Sequence, residues 1–134
     1  MNEPKTGPQR DWQAHSEEGV FLRFIVHENR NFQGRPLHDW LLLQARHLGI
    51  PGGSAFRGIA GYGRHGVLIE EHFFELANEL PVEVRLVCSQ EQAGRLLDAV
   101  EAAELSLFYL MSPVRYGVAG VAKSDWSKVL PPMF

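Results

Sequence analysis

Four consecutive residues, Gly61-Tyr62-Gly63-Arg64, join two properties that an anion-binding turn requires. Glycine lets a ligand approach the backbone closely, and a guanidinium grips phosphate or carboxylate through paired N–H donors. A glycine pair alone is a weak motif, more often a tight strand exit with a solvated arginine. Arg57-Gly58 lies just upstream, and Arg115 lies near the end of the chain. Each arginine either lays its stem over apolar surface or faces a phosphate or carboxylate. Glu28 offers carboxylate acceptors to the N–H or O–H donors of a ligand, or is a solvated loop acid. Ser54 contacts the same ligand or merely caps a strand.

Other chemistries find less support. His38 and His47 are nine apart on one helical stretch and so face different directions. His65 and His72 with Glu70 and Glu71 offer a metal or small-ion site, although the spacing is not that of a zinc motif. The single cysteine, Cys88, excludes an intramolecular disulfide and a cysteine-rich zinc cluster. It falls in an alternating apolar run, where a small buried thiol is expected. There is no nucleophile elbow, no readable Cys–His pairing and no recognisable carboxylate pair, so catalysis is not expected. A net charge of −3 and a pI near 6.0 argue against a general nucleic-acid binder. No apolar run reaches the length of a membrane span, and residues 1–19 carry no signal-like stretch. A cytoplasmic domain that inserts into no membrane is expected.

The elements that must position these groups are readable from periodicity. At 134 residues and 45 % apolar, the chain suits one domain with an ordinary core. Residues 1–18 read as a flexible tail, 19–117 as the domain, and 118–134 as a second tail that Trp126 and Phe134 give reason to dock. Val20–Val26 is dense in β-branched and aromatic residues, with Leu22, Phe24 and Val26 on one face. Pro36 suits a first helical position, and Leu37, Trp40, Leu41, Ala45 and Leu48 recur along one helical face. Gly49 and Pro51 stop that helix. A second strand is expected over Ser54–Ile59, parallel to the first. A third covers Val82–Cys88; Ser89 and Gln92 then form a capping-box signature for a helix burying Ala93, Leu96, Leu97, Val100 and Ala103. A last strand is expected over Leu105–Leu110. This order predicts an α+β, ferredoxin-like βαββαβ sandwich: four antiparallel-paired strands, two helices on one face and an extended loop or hairpin after the second strand. Phe21, Ile25, Val87 and Phe108 then fall on the uncovered face, which predicts oligomerisation through the sheet.

The stretch from Gly34-Arg35-Pro36-Leu37 through Ala45-Arg46, Gly49-Ile50 and Arg57-Gly58-Ile59 to Gly61-Tyr62-Gly63 resembles a PII-like family of unassigned function. That family is related to the nitrogen-regulatory PII signalling proteins. Leu80-Pro81-Val82-Glu83-Val84 and Pro113-Val114-Arg115-Tyr116 extend the likeness over about residues 20–117. The resemblance implies a homotrimeric regulator that binds an adenine nucleotide between subunits. It would signal to a membrane transporter or an enzyme through a loop at 64–79. Gly61, Tyr62, Gly63, Arg64, Arg57, Gly58, Arg115, Ser54 and Glu28 become its candidate nucleotide-binding residues. PII proteins carry a Gly-x-Gly-Lys phosphate loop after the second helix, where this chain has Glu101-Ala102-Ala103-Glu104. That departure favours AMP or ADP over ATP. The alternative reading is a metal- or small-ion-sensing module of the divalent-ion-tolerance type, which shares the fold.

Overall fold

The computed structural model describes residues 12–62, 69–70 and 80–128. Alternating apolar residues build β1 (Glu17–His27), whose Val20, Leu22, Phe24 and Val26 are buried. The following loop holds a small hairpin, β2 (Asn31–Phe32) with β3 (Arg35–Pro36). Its two turn residues, Gln33 and Gly34, have φ of 53° and 79°, the sign that a tight primed turn requires at both central positions. Pro36 is the residue before α1 (Leu37–His47) rather than its first member, and Leu37, Trp40, Leu41 and Ala45 are buried. The helix ends at Gly49, where φ is 79°. The Ile50 N–H returns to the Ala45 carbonyl and the Gly49 N–H to that of Arg46, the paired bonds of a Schellman stop.

β4 (Gly53–Arg57) follows, and a second short ladder joins β5 (Ala60–Gly61) to β6 (Ile69–Glu70). The expected excursion after the second strand therefore opens as a hairpin. Val82, Val84, Leu86 and Cys88 alternate inward along β7 (Pro81–Cys88). The capping box forms: Ser89 Oγ accepts from the Gln92 N–H at 3.0 Å, and the Gln92 side chain accepts from the Ser89 N–H at 3.0 Å. It starts α2 (Gln90–Ala102), which buries Ala93, Leu96 and Val100. After β8 (Phe108–Tyr116), a 3₁₀ turn (Lys123–Lys128) places Trp126 against Tyr116, with ring centroids 5.9 Å apart.

The sheet order is β4-β7-β1-β8 with every neighbouring pair antiparallel. β1 and β4 thus run parallel with β7 between them, and both helices contribute to one core against the same face. This is the ferredoxin-like βαββαβ arrangement.

The last strand departs from expectation. Residues 103–107 are irregular, with Glu104 in the left-handed region at φ 58°, and Leu105 and Leu107 pack against the core instead of pairing. The strand begins at Phe108 and runs to Tyr116, through Pro113 opposite Val20. Proline survives there because β8 is an edge strand, whose outward positions need no ladder donor.

Candidate functional site

At the end of the sheet where β1 and β4 finish, Arg57 Nη2 reaches Glu28 Oε1 at 2.5 Å. Main-chain bonds fix this end to the start of β7: the Glu28 N–H donates to the Leu80 carbonyl at 2.9 Å, and the Gly58 N–H to the Pro81 carbonyl at 2.7 Å. The Glu28 side chain is only 15 % exposed, against 57 % for Arg57. Its second oxygen, Oε2, is shut from solvent with no hydrogen-bond partner. A buried carboxylate oxygen without a donor is costly, so this corner presents an acceptor suited to an N–H or O–H donor, beside a guanidinium open to solvent.

Gly58 and Gly61 line the same corner, and both have a reason within the chain. A Cβ on Gly58 would lie 2.8 Å from the Pro81 ring, and one on Gly61 would lie 3.3 Å from it. Close packing against Pro81 alone demands glycine at 58. Tyr62 is 76 % exposed at the exit. Gly63, Arg64, His65, Glu71 and His72 lie outside the described residues, as does the side chain of Glu70. No group of three His, Cys, Asp or Glu residues suited to a metal gathers among the described residues.

Two candidates do not join this corner within one chain. Ser54 and Arg57 are three apart on β4, and the alternation of the strand sends them to opposite faces. Arg115 pairs in register with Glu18, whereas Arg57 pairs with Val82 and through it lies level with Val26. Those levels are separated by roughly 27 Å of antiparallel strand. Arg115 is also engaged locally, donating to Ser16 Oγ at 2.9 Å and to Glu18 at 3.2 Å.

Sequence reasoning missed two neighbours of the corner. Arg30 donates to the Ser106 carbonyl at 3.3 Å, tying the loop after β1 to the connection after α2. Beside that connection, an open groove between α2 and β8 is floored by Phe24, Leu97, Val100, Leu105, Leu107 and Tyr109. Its acidic members are Glu101 and Glu104, where the PII pattern has its phosphate loop. The only advance signal was the density of leucine around residue 105.

A buried thiol and a phenol complete the titration landscape. Burial pushes Cys88 up to about 11, so the thiol stays protonated and inert at neutral pH. Burial, then the hydrogen bond from the Tyr116 hydroxyl to Glu17, raises Tyr116 to about 12. Neither group belongs to the corner.

The fold agrees with the relatives of the sequence. The chain belongs to the DUF190 family, described as Uncharacterized ACR, COG1993, whose model matches residues 19–116. It is 33 % identical over 89 residues to a UPF0166 protein of Aquifex aeolicus (strain VF5), covering 66 % of this chain and 85 % of that protein. It is 32 % identical over 76 residues to the UPF0166 protein MJ1524 of Methanocaldococcus jannaschii, covering 57 % and 69 %. Among solved structures it is similar to CPII, a nitrogen regulatory PII-like protein from Thiomonas intermedia K12, bound to ADP, AMP and bicarbonate. The TM-score is 0.60 at 15 % identity, over 78 % of this chain and 93 % of CPII. A putative PII-like signaling protein from Thermus thermophilus, TTHA0516, gives 0.52 at 13 % identity, over 76 % and 91 %. At these identities the structures establish a shared PII-like, ferredoxin-type fold. No helix among the described residues is long and apolar enough to cross a membrane.

Proposed function

We propose that this protein is a PII-like regulator that binds an adenine nucleotide, AMP or ADP in preference to ATP, in clefts between the subunits of a homotrimer. The observation that carries the reading is the Glu28–Arg57 corner, where a buried, unpartnered carboxylate oxygen sits beside a solvent-reaching guanidinium. Glu28 would accept from a ribose hydroxyl or the adenine amino group, and Arg57 and Arg64 would meet phosphate. Backbone near Gly58, Gly61, Tyr62 and Gly63 would line the approach. Arg115 and Ser54 would contribute only from a neighbouring subunit, since neither joins the corner in its own chain. The complexes of CPII with ADP and AMP support the ligand class. Glu101 and Glu104 support the preference for fewer phosphates, because they stand where the PII pattern has its Gly-x-Gly-Lys phosphate loop.

The role is regulatory rather than catalytic: occupancy would be reported through segment 64–79 to a transporter or enzyme partner. Such a signal requires the nucleotide to favour one state of that segment over the other. Calorimetric titration of the full chain with AMP, ADP and ATP tests the reading. Saturable heat is expected with AMP or ADP, weakened about tenfold or more by Glu28→Gln, Arg57→Ala or Arg64→Ala. Absence of heat with all three nucleotides overturns it.

A further inference from the structure

The C-terminus of a helix is its negative pole, and lysine or arginine in the last turn is the arrangement that offsets it. The last turn of α2 holds no basic residue and ends instead with Glu101. Glu104 follows just beyond the helix at φ 58°, a left-handed conformation that glycine adopts at lower cost. Two carboxylates therefore add to the negative pole. Among the described residues, no cation of the chain pairs with either of them.

The same two residues rim the groove between α2 and β8, an open trough of about 570 Å³. Leu97 and Val100, one helical turn apart, form one wall, and Leu105 and Leu107 lead to Tyr109 on the other. Tyr109 is 46 % exposed, and its ring centroid lies 6.2 Å from that of Phe24 on the floor. The lip already holds one guanidinium, since Arg30 Nη1 donates to the Ser106 carbonyl at 3.3 Å. An apolar trough under an acidic rim takes up apolar side chains and repels phosphate or an acidic segment. Tyr109 pairs in register with buried Phe24, so the groove opens on the helix side. The opposite face carries the apolar rows, with Phe21 and Val87 to one side of Arg23 and Arg85, and Ile25 and Phe108 to the other.

We propose that this groove docks a basic, amphipathic segment of a partner protein. Apolar side chains of the segment fill the trough, and its lysines or arginines meet Glu101 and Glu104 at the end of α2. Complementarity of sign favours such a segment over a second copy of a chain whose net charge is −3. Copies have the apolar rows of the opposite face through which to meet. The inference goes beyond the nucleotide reading and requires no nucleotide.

The test is fluorescence anisotropy of a labelled synthetic peptide of leucine and lysine at helical spacing, titrated with the full chain. A counterpart with glutamate in place of lysine runs in parallel. Saturable binding of the lysine peptide alone is expected, weakened by salt and about tenfold or more by Glu101→Lys. That variant should also unfold at a higher temperature, because lysine suits the end of a helix; lost binding then cannot come from lost folding. Glu91→Lys makes the same change of charge roughly 15 Å away at the start of α2 and should leave binding nearly unchanged. Tyr109→Ala, which removes a half-exposed ring from the trough, should weaken it several-fold. Equal weakening by Glu101→Lys and Glu91→Lys means attraction to net charge alone and overturns the proposal. So does binding of the glutamate peptide, or no binding of the lysine peptide. If no peptide binds and Tyr109→Ala lowers the assembled mass in light scattering, a second copy fills the groove and the proposal falls. Peptide binding retained in Arg57→Ala, with its nucleotide heat lost, separates this groove from the corner.

Discussion

The two faces of the same four strands solve opposite problems. On the helix side, Leu22, Phe24, Val84 and Leu86 have no exposed surface, and none of them carries a polar side-chain atom. On the other side, Phe108 is 63 % exposed and Ile25 38 %, and two arginines and a glutamate occupy the middle of the sheet. Where helices seal a face, close packing stabilises it and an unpaired buried charge is costly. A face left open keeps charge cheaply in water, and its apolar residues then mark where another surface lies or where charge must be oriented. The same period-2 alternation produces both, so the difference resides in what lies above each face.

Two phenylalanines test this contrast most sharply. Phe24→Ala removes a ring with no exposure from the sealed face and should destabilise the chain by about 3–5 kcal/mol, read as a lower midpoint in urea unfolding. A loss under about 1 kcal/mol would mean that the helix side is loosely packed and the contrast false. Glu83 gives the next largest effect. Glu83→Ala leaves Arg23 and Arg85 facing each other without their bridge, at a cost of about 1 kcal/mol because both guanidiniums stay partly in water. The pH dependence follows from the lowered carboxyl. The folded pKa lies below the ordinary 4.5, so the stabilisation is present above pH 4.5 and is lost as pH falls through the folded value. Glu83→Gln should flatten that part of the acid limb in a pH series of thermal unfolding curves.

The sealed face was legible in the sequence because its signal is local. Val20 to Val26 and Val82 to Cys88 alternate, Leu37 to Ala45 repeats every three or four residues, and Ser89 with Gln92 announces a helix start. Each pattern needs only its own segment. The last strand was misplaced because Ser112-Pro113 reads as a break; only the edge position of β8 makes that proline harmless. The corner was legible by member but not by pairing. Glu28 and Arg57 were both candidates, yet their ion pair spans 29 residues and depends on where β1 and β4 end. Gly58 looked like a place for a ligand to approach, whereas Pro81 also requires it. The Arg23–Glu83 bridge was invisible, since it spans 60 residues and exists only in the β1–β7 register.

Helix α2 covers the sealed face, so its cap should matter there and not on the open side. Ser89→Ala removes the hydroxyl that accepts from the Gln92 N–H and should cost about 1 kcal/mol in urea unfolding. The part of the acid limb that depends on Glu83 should be unchanged in that variant, because the cap lies on the covered side of the sheet. A change in that limb would mean that the faces are coupled through β7.

The smallest effect on the chain itself should come from the second phenylalanine. Phe108 opens β8 on the uncovered face, in register with Ile25, and most of its surface already meets water. Phe108→Ser therefore removes little that folding had buried, and unfolding of the isolated chain should move by no more than about 0.5 kcal/mol. Assembly should respond differently. If sheets meet through this face, the ring lies at a junction where its transfer from water would be worth about 1.5–3 kcal/mol per copy. Mass measured by light scattering over a dilution series should then show Phe108→Ser dissociating at higher concentration than the native chain. Unchanged assembly with unchanged stability would remove the apolar rows from the interface and leave them to orient Arg23 and Arg85. A stability loss as large as that of Phe24→Ala would instead erase the distinction between the faces.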